Sequence, residues 1–395
     1  MKQQKILFIS NIAASKVGTF SIASIMASKK LGLEFHMAAN FKNSPIEQRK
    51  IDEKKYGIKI HQIDFIRNPL RLGNVKAYRQ LAKLVRMEQF DIIHCNTPIG
   101  GVIGRLIGKK YKIPMVIYQA HGFHFYQGAP LINWLIYYPI EKWLAHYTNI
   151  LITINSEDFK RANKFCLKKT GEVCYVPGVG VNINEFSATD SQNLKLREDL
   201  HIPKDAVVLI SVGELNKNKN NITVISAVGM LKNPSIHYII CGEGSELSQL
   251  RDRAKKLQIS QNVHFLGYRK DIKELYATSD IFVLPSVREG LSRSLMEAMA
   301  CGLPCVASKV RGNVDLIEDG VGGYLCNPAD TDGFTLAIKK LANDQSLRRH
   351  LGENNLEIIK KFDIGIVEKK MMQIYREVLR EESREKHEST TFAGK

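Results

Sequence analysis

The stretch Pro-Ser-Val-Arg-Glu-Gly-Leu-Ser-Arg-Ser-Leu-Met-Glu-Ala-Met-Ala-Cys-Gly-Leu-Pro, at residues 285–304, decides the fold. The apolar run at residues 281–284, directly before it, predicts a buried strand, and the apolar spacing after Leu291 predicts a helix. A loop that contains Glu289 and Gly290 joins the two. Strands that alternate with helices in this way are typical of a parallel α/β sheet.

The same alternation runs through the rest of the chain and predicts two doubly wound, Rossmann-like domains with parallel sheets. The predicted strands lie at residues 5–10, 35–40, 59–64, 91–96, 114–121 and 149–155, and then at 206–212, 236–241, 263–267, 280–286, 304–308 and 323–326. The predicted domains are residues 1–186, a linker at 187–204, residues 205–365, and a C-terminal helix with a loose tail at 366–395 that returns to the first domain. Ligands bind at the carboxyl ends of such strands, so the functional residues are expected there.

The charge of the chain is uneven. The 395 residues hold 57 Lys and Arg against 40 Asp and Glu, which gives a net charge of +17. Residues 1–200 carry 29 − 15 = +14 of it, and residues 201–395 carry 28 − 25 = +3. A basic half suggests nucleic acid or an anionic membrane as a partner. Nucleic acid is not expected, because no helix-turn-helix, zinc-finger or RNP-like motif accompanies the charge.

Several classes of protein are not expected from the composition. No window approaches the roughly 20 apolar residues that span a bilayer, and the first residues do not form a signal peptide. None of the seven cysteines forms a Cys-x2-Cys pair, which argues against zinc or a disulfide framework and for a reducing compartment. We therefore expect a cytoplasmic protein, attached at the inner face of the cell membrane.

The loop at residues 285–304 carries the strongest chemical signal. Gly290 allows a close backbone approach, and the N–H groups that follow it open a helix, which attracts phosphate. A carboxylate at that position would repel an anion, so Glu289 is better suited to hold sugar hydroxyls and Glu297 to hold a ribose. The alternative is a solvated helix face with two acidic residues.

This segment resembles the Glu-x7-Glu signature of retaining glycosyltransferases with the GT-B fold, and is closest to the capsular and exopolysaccharide members of glycosyltransferase family 4. The resemblance covers almost the whole chain. Further matching segments lie at residues 211–219 (SVGELNKNK), 241–244 (CGEG), 265–268 (FLGY) and 120–124 (AHGFH).

The resemblance implies a role for each matching residue. Glu289 would bind the donor sugar, Lys219 its phosphates, and His121 would face the reacting sugar. Glu297 would bind the ribose, with the remaining donor contacts from Gly290, Leu291, Ser292, Arg293, Ser294, Gly213, Lys217, Gly242, Gly267 and Tyr268. One residue departs from the family pattern: Glu214 stands where the family has a phosphate-binding arginine, so that role is either vacant or taken over by Lys217 or Arg293.

The implied reaction is transfer of a neutral or N-acetylated hexose from a UDP-sugar to a lipid-linked, undecaprenyl-diphosphate type of saccharide, with retention of configuration. A phosphate oxygen would help take the acceptor proton, so no separate base is required. We expect no cofactor and no metal ion, because Asp330-Thr331-Asp332 precedes a helix and is explained by an N-cap. The alternatives are a sugar-nucleotide epimerase on the same architecture, or an inactive partner in polysaccharide assembly.

The acceptor side is expected in the first domain. The candidates there are Ser10, Asn96, Thr97 and His124, with the loop at residues 13–19 as a weaker one. The glycines of residues 99–108 favour close helix packing over substrate contact. Arg79, Lys83 and Arg86 share one helix face, and residues 160–169 add a second basic cluster. Both are either solvated faces or sites that dock on an anionic membrane surface.

Overall fold

The structure, a computed structural model, describes residues 3–11, 16–66, 68, 71–186 and 194–392. It divides the chain into two compact units: unit 1 contains Met1–Val179 and Gly365–Lys395, and unit 2 contains Gly180–Ile364. Each unit is an α/β body with its own parallel sheet, as the alternation of strand and helix patterns predicts.

Within the described residues, unit 1 has a seven-stranded sheet in the order β3-β2-β1-β4-β5-β6-β7. Its strands are β1 Lys5–Ile9, β2 Glu34–Ala39, β3 Lys59–Gln62, β4 Ile92–Asn96, β5 Met115–Ala120, β6 Ile150–Thr153 and β7 Glu172–Tyr175. Its helices are α1 Thr19–Lys30, α2 Ile46–Tyr56, α3 Gly73–Glu88, α4 Pro98–Lys110, α5 Leu131–Ala145 and α6 Ser156–Ala162.

Unit 2 has a six-stranded sheet in the order β10-β9-β8-β11-β12-β13, again counted over the residues described. It begins with two short helices, α7 Ile183–Phe186 and α8 Leu194–Asp199, and continues with β8 Val207–Val212, α9 Asn221–Leu231, β9 Ile236–Cys241, α10 Leu247–Lys256, β10 Val263–Gly267, α11 Ile272–Thr278, β11 Ile281–Leu284, α12 Arg293–Ala300, β12 Cys305–Ser308, α13 Asn313–Leu316, β13 Gly323–Cys326, α14 Thr331–Asn343 and α15 Gln345–Ile359. The last helix, α16, spans Ile364–Phe392.

Both faces of each sheet are covered, which explains why the strands are continuous apolar runs. In β1, Leu7 and Ile9 belong to one core cluster, whereas Ile6 and Phe8 belong to another on the opposite face. Side chains alternate along a strand, so a run of apolar residues fills two cores. The polar loops at the strand ends are left to bind ligands.

The C-terminal helix α16 packs on unit 1. Val367, Met371 and Val378 lie in the same core cluster as Ile6 and Phe8 of β1. The Tyr375 hydroxyl lies 2.7 Å from Nδ1 of His94 on β4, so a polar contact fixes the helix as well. Among the helices in the described residues, none is long and apolar enough to cross a membrane.

The boundary between the units differs from the predicted one. The sequence predicted a change of domain at residue 186 and a linker to residue 204, whereas the units divide after Val179. The backbone of Val181 pairs with Phe362 and Ile364, and α8 is tied in because buried Arg197 forms an ion pair with Asp280 at 2.9 Å. The polar composition of the segment hid these long-range contacts; residues 187–193 lie outside the described part. Strand β7 was also missed, because its residues are only partly buried.

Candidate active site

Three glycines lie at the carboxyl ends of β8, β9 and β10 in unit 2, and backbone hydrogen bonds join them to neighbouring strand ends. Gly213 N donates to Cys241 O at 2.9 Å, and Gly242 N donates to Gly267 O at 2.8 Å. Gly242 has φ +148°, and a Cβ there would stand 1.8 Å from the Gly213 carbonyl oxygen. Only glycine permits this approach. The exposed Tyr268 directly follows Gly267 at the same end of the sheet.

Lys219 and Glu289, two residues predicted to act on the donor, are in direct contact. Nζ of Lys219 lies 2.7 Å from Oε1 of Glu289, and both side chains are largely buried. The loops that carry them are joined by the Asn218 side chain, which donates to Arg288 O at 3.0 Å, and by Val287 N, which donates to Asn218 O at 2.8 Å. Residues 70 positions apart thus form one ion pair at the carboxyl end of the sheet.

Glu297 lies on α12 and is buried. Its Oε1 accepts from Arg293 Nε at 2.7 Å, and its Oε2 accepts from the Tyr276 hydroxyl at 3.3 Å. Burial raises the pKa of the Glu297 carboxyl, and the Arg293 guanidinium opposes that rise. A buried carboxylate held from two sides is a fixed acceptor for hydroxyl groups.

The start of α12 is suited to an anion. Ser292 caps the helix, because its hydroxyl accepts from Leu295 N at 3.4 Å, and it lies 3.3 Å from the hydroxyl of Ser294. Gly290 and Leu291 lead into this cap. The first N–H groups of an α-helix have no acceptor within the helix, so they carry partial positive charge toward whatever lies beyond it. The residues predicted to hold a diphosphate are therefore grouped here.

Arg311, which the sequence did not single out, supports the Glu289 loop. Its Nε donates to the Glu289 carbonyl oxygen at 3.1 Å, and the side chain is buried. The next residue, Gly312, has φ +81°, and a Cβ there would stand 2.3 Å from Gly290 O. The Arg-Gly pair at residues 311–312, which follows β12, was the sequence signal that could have indicated this contact.

The cations considered as replacements for the family arginine lie in different environments. Arg293 is paired with Glu297, and Lys217 is exposed. Glu214, at the family arginine position, is exposed too. Arg311 adds a third cation at the Glu289 loop. That Lys217 or Arg293 assists a diphosphate stays a prediction.

The acceptor-side candidates of unit 1 gather at the carboxyl ends of β1, β4 and β5. Nε2 of His121 lies 3.0 Å from Oδ1 of Asn96, and Asn11 N donates to Thr97 Oγ1 at 3.2 Å. Ser10 directly precedes Asn11 and is buried. Residues 12–15, part of the weaker loop candidate, lie outside the described residues.

One ring nitrogen of His121, Nδ1, forms no hydrogen bond with the rest of the described chain. Asn96 Oδ1 can only accept, so Nε2 carries the proton and Nδ1 is an acceptor. Within the described residues neither His121 Nδ1 nor Asn96 Nδ2 has a hydrogen-bond partner. Burial lowers the pKa of the His121 imidazole to about 4, so it is neutral at physiological pH.

His124 contacts a helix, unlike the other acceptor candidates. Its ring lies 4.6 Å from that of Tyr137 on α5, and its carbonyl oxygen accepts from Asn133 Nδ2 at 2.9 Å. The glycines of α4 serve close packing, as predicted: a Cβ at Gly101 would lie 2.4 Å from Tyr118, and one at Gly104 would lie 2.6 Å from Cys95.

The acidic motif at residues 330–332 caps a helix. Oδ1 of Asp330 accepts from Gly333 N at 2.8 Å at the start of α14, which is the contact predicted from the sequence. Within the described ranges, no group of three or more His, Cys, Asp or Glu side chains is arranged to hold a metal ion.

Known proteins resemble both units. The family described as Glycosyl transferases group 1 matches residues 192–357, and the Glycosyl transferase 4-like family matches residues 5–155. EpsD of Bacillus subtilis (strain 168), to which glycosyltransferase activity is ascribed, is 37% identical over 363 residues, which cover 91% of this chain and 93% of EpsD.

Two further similarities agree with these matches. The UDP-Gal:alpha-D-GlcNAc-diphosphoundecaprenol alpha-1,3-galactosyltransferase of Escherichia coli is 27% identical over 75% of this chain and 79% of that protein. The crystal structure of HepE from Anabaena in complex with UDP and glucose has a TM-score of 0.78 at 20% identity, and covers 95% of this chain and all of that one. That likeness identifies the fold as GT-B. From these similarities, the chain belongs to the capsular and exopolysaccharide branch of glycosyltransferase family 4 and is a glycosyltransferase.

Proposed function

We propose that the chain transfers a hexose or N-acetylhexosamine from a UDP-sugar to a saccharide carried on a polyprenyl diphosphate, without a metal ion and with retention of configuration. The observation that carries this proposal is the Lys219–Glu289 ion pair beside the capped start of α12. It combines a cation and a helix N-terminus for phosphate with a carboxylate for sugar hydroxyls.

The donor-side residues of unit 2 are the basis for the proposed leaving-group chemistry. A departing nucleoside diphosphate gains negative charge on its bridging oxygen, and fixed positive groups lower the cost of that charge. Lys219 and the N–H groups at the start of α12 are such groups, and the buried Glu297 carboxylate would accept from a ribose. UDP is favoured as the nucleotide because the Escherichia coli relative is named for UDP-Gal.

The candidate residues of unit 1 would position the acceptor saccharide. The unpaired polar atoms of His121 and Asn96 can bind a sugar hydroxyl, because one is an acceptor and the other a donor. The same relative is named for a diphosphoundecaprenol acceptor, which favours a lipid-linked saccharide here as well.

The test is UDP release by the purified protein with a panel of UDP-sugars, in the presence and absence of polyprenyl-diphosphate saccharides. We expect one UDP-sugar to turn over, to require an acceptor for full rate, and to give a product whose anomeric configuration by NMR is that of the donor. Conversion of a UDP-sugar to its epimer without acceptor would indicate the epimerase instead. The absence of binding or turnover with every nucleotide sugar would contradict transfer.

A further inference from the structure

The outer face of α5 is apolar and exposed. Leu131 and Leu135 are 81% and 73% exposed, and the residues from Leu131 to Ile140 include no charged side chain. We call this face the α5 ridge; its side chains are Leu131, Ile132, Leu135, Ile136, Ile140 and Trp143. Contiguous exposed apolar surface of this kind marks an interaction site on a soluble domain.

The inner face of α5 is already packed. Glu141 forms an ion pair with buried Arg105 of α4 at 2.8 Å, and the Arg105 guanidinium lies 3.8 Å from the ring centroid of Tyr118. Trp134 and Tyr138 contact the core cluster beneath the helix. Because this side is fixed, the α5 ridge cannot turn inward without breaking a buried ion pair.

Cations lie at the C-terminal end of the α5 ridge. The ring of Trp143 lies 5.4 Å from that of Tyr147, whose hydroxyl accepts from Lys109 Nζ at 2.7 Å. Tyr147 lines a cleft of about 550 Å³, whose lysines are Lys109, Lys112, Lys168 and Lys169. Trp, Tyr and Lys at the edge of an apolar surface are the residues that prefer the border between lipid and water.

The N-terminal end of the ridge adjoins the acceptor loop. Asn133 of α5 donates to His124 O at 2.9 Å, and His124 stacks near Tyr137 of the same helix. His121 stands three residues before His124. An interaction that holds the α5 ridge would therefore also affect the position of the loop that carries His121 and His124.

We infer that the α5 ridge inserts into the surface of an anionic membrane. The cleft lined by Lys109, Lys112, Lys168 and Lys169 would then contact the lipid phosphates. The inference deepens the proposed function and rests on it, because a polyprenyl diphosphate presents its saccharide at such a surface. A second copy of this chain suits the ridge less well: residues 1–200 carry net +14, and pairing two such units would bring like charges together. An anionic leaflet has the opposite charge.

The experiment follows Trp143 as a reporter. Trp134 and Trp143 are the only tryptophans of the sequence, so Trp134→Phe leaves Trp143 alone. On addition of vesicles of equal parts phosphatidylglycerol and phosphatidylcholine, we expect a blue shift of its emission and quenching by brominated acyl chains. Vesicles of phosphatidylcholine alone should bind less, and salt should weaken binding to the anionic ones.

Substitutions at exposed positions test the role of the α5 ridge in vesicle binding without changing the core of the protein. Leu135→Gln with Ile136→Gln should reduce vesicle binding about tenfold or more, because two apolar side chains leave the lipid. Lys112→Gln with Lys169→Gln should reduce the salt dependence. The matched control is Leu336→Gln, a 67% exposed leucine on α14 of unit 2, which should bind as the native chain does. Circular dichroism checks that each variant is folded.

Two results would overturn the inference: no blue shift with anionic vesicles, or a dimer by light scattering that the ridge substitutions dissociate. A dimer of that kind would mean that a second copy covers the ridge. The proposed function fails by a different readout. Native protein that binds vesicles but releases UDP from no UDP-sugar would contradict transfer alone, whereas turnover without vesicle binding would contradict the docking alone.

Discussion

Nζ of Lys219 lies 2.7 Å from Oε1 of Glu289, so a lysine from the loop after β8 neutralises a carboxylate from the loop after β11. Before a donor arrives, this contact holds both side chains in one place. A nucleotide sugar would engage the lysine through phosphate and the carboxylate through hydroxyls, so each partner exchanges one charged contact for another.

The first prediction concerns this pair. Lys219→Ala and Glu289→Gln should each lower transfer at least about a hundredfold, because each would remove a proposed charged or polar contact to the donor. The measurement is kcat/KM for UDP release, with thermal unfolding to check the fold.

The matched controls for the pair are Lys339→Ala on α14 and Glu353→Gln on α15, both exposed residues of unit 2. Both should keep the native rate. Native turnover in Lys219→Ala or Glu289→Gln would refute the assigned site.

Arg311 should position the Glu289 loop. Arg311→Met removes the side-chain donor to the Glu289 carbonyl oxygen. We expect kcat to fall about tenfold, since a small displacement of a loop proposed to hold the reacting sugar is costly. UDP affinity by calorimetry should change less. Partial recovery in Arg311→Lys would support the hydrogen bond, and an unchanged kcat in Arg311→Met would exclude the role.

Two stacked histidine pairs should make the fold sensitive to acid. His36 and His61 join β2 and β3, with ring nitrogens 2.9 Å apart, and His237 and His264 join β9 and β10 at 3.0 Å. Burial lowers all four pKa values, to about 4 for His61 and His264. Glu34, which contacts His36, opposes the shift there.

The sign of the pH effect follows from proton uptake. Between about pH 6.5 and pH 4 the unfolded chain protonates His61 and His264 and the folded chain resists, so stability falls as the pH falls, by up to roughly 1.4 kcal/mol per pH unit for each of these two histidines. Unfolding midpoints at several pH values measure it. His61→Gln with His264→Gln should flatten the dependence, whereas the exposed His350→Gln should not. Equal slopes in all three proteins would contradict the prediction.

Asp330 should contribute to stability and not to catalysis. Asp330→Ala removes the cap of α14 and should cost about 1 kcal/mol, or roughly 2 to 4 °C in the unfolding midpoint. UDP release by this variant should match that of the native chain. Chelation by EDTA should likewise leave the native rate unchanged. A rate that EDTA abolishes and Mg²⁺ or Mn²⁺ restores would show that transfer depends on a metal ion.

The sequence by itself determined the α/β class, the strands β1 to β6 and β8 to β13, and the motif at residues 285–304. These features are local: a buried parallel strand is a short apolar run, and the segment at residues 285–304 holds loop, cap and both glutamates within twenty positions. The cap at Asp330 and the tight α4 glycines were predictable for the same reason, since neighbouring residues decide them.

Only the tertiary structure decided what depends on distant residues. The contact of Arg311 with Glu289, the place of residues 180–186 and 194–204 in unit 2, and strand β7 all depend on partners that the local pattern does not contain. The α5 ridge is the clearest case. Both faces of that helix are apolar, so its periodicity could not tell which one the core covers until Arg105 and Glu141 fixed the orientation.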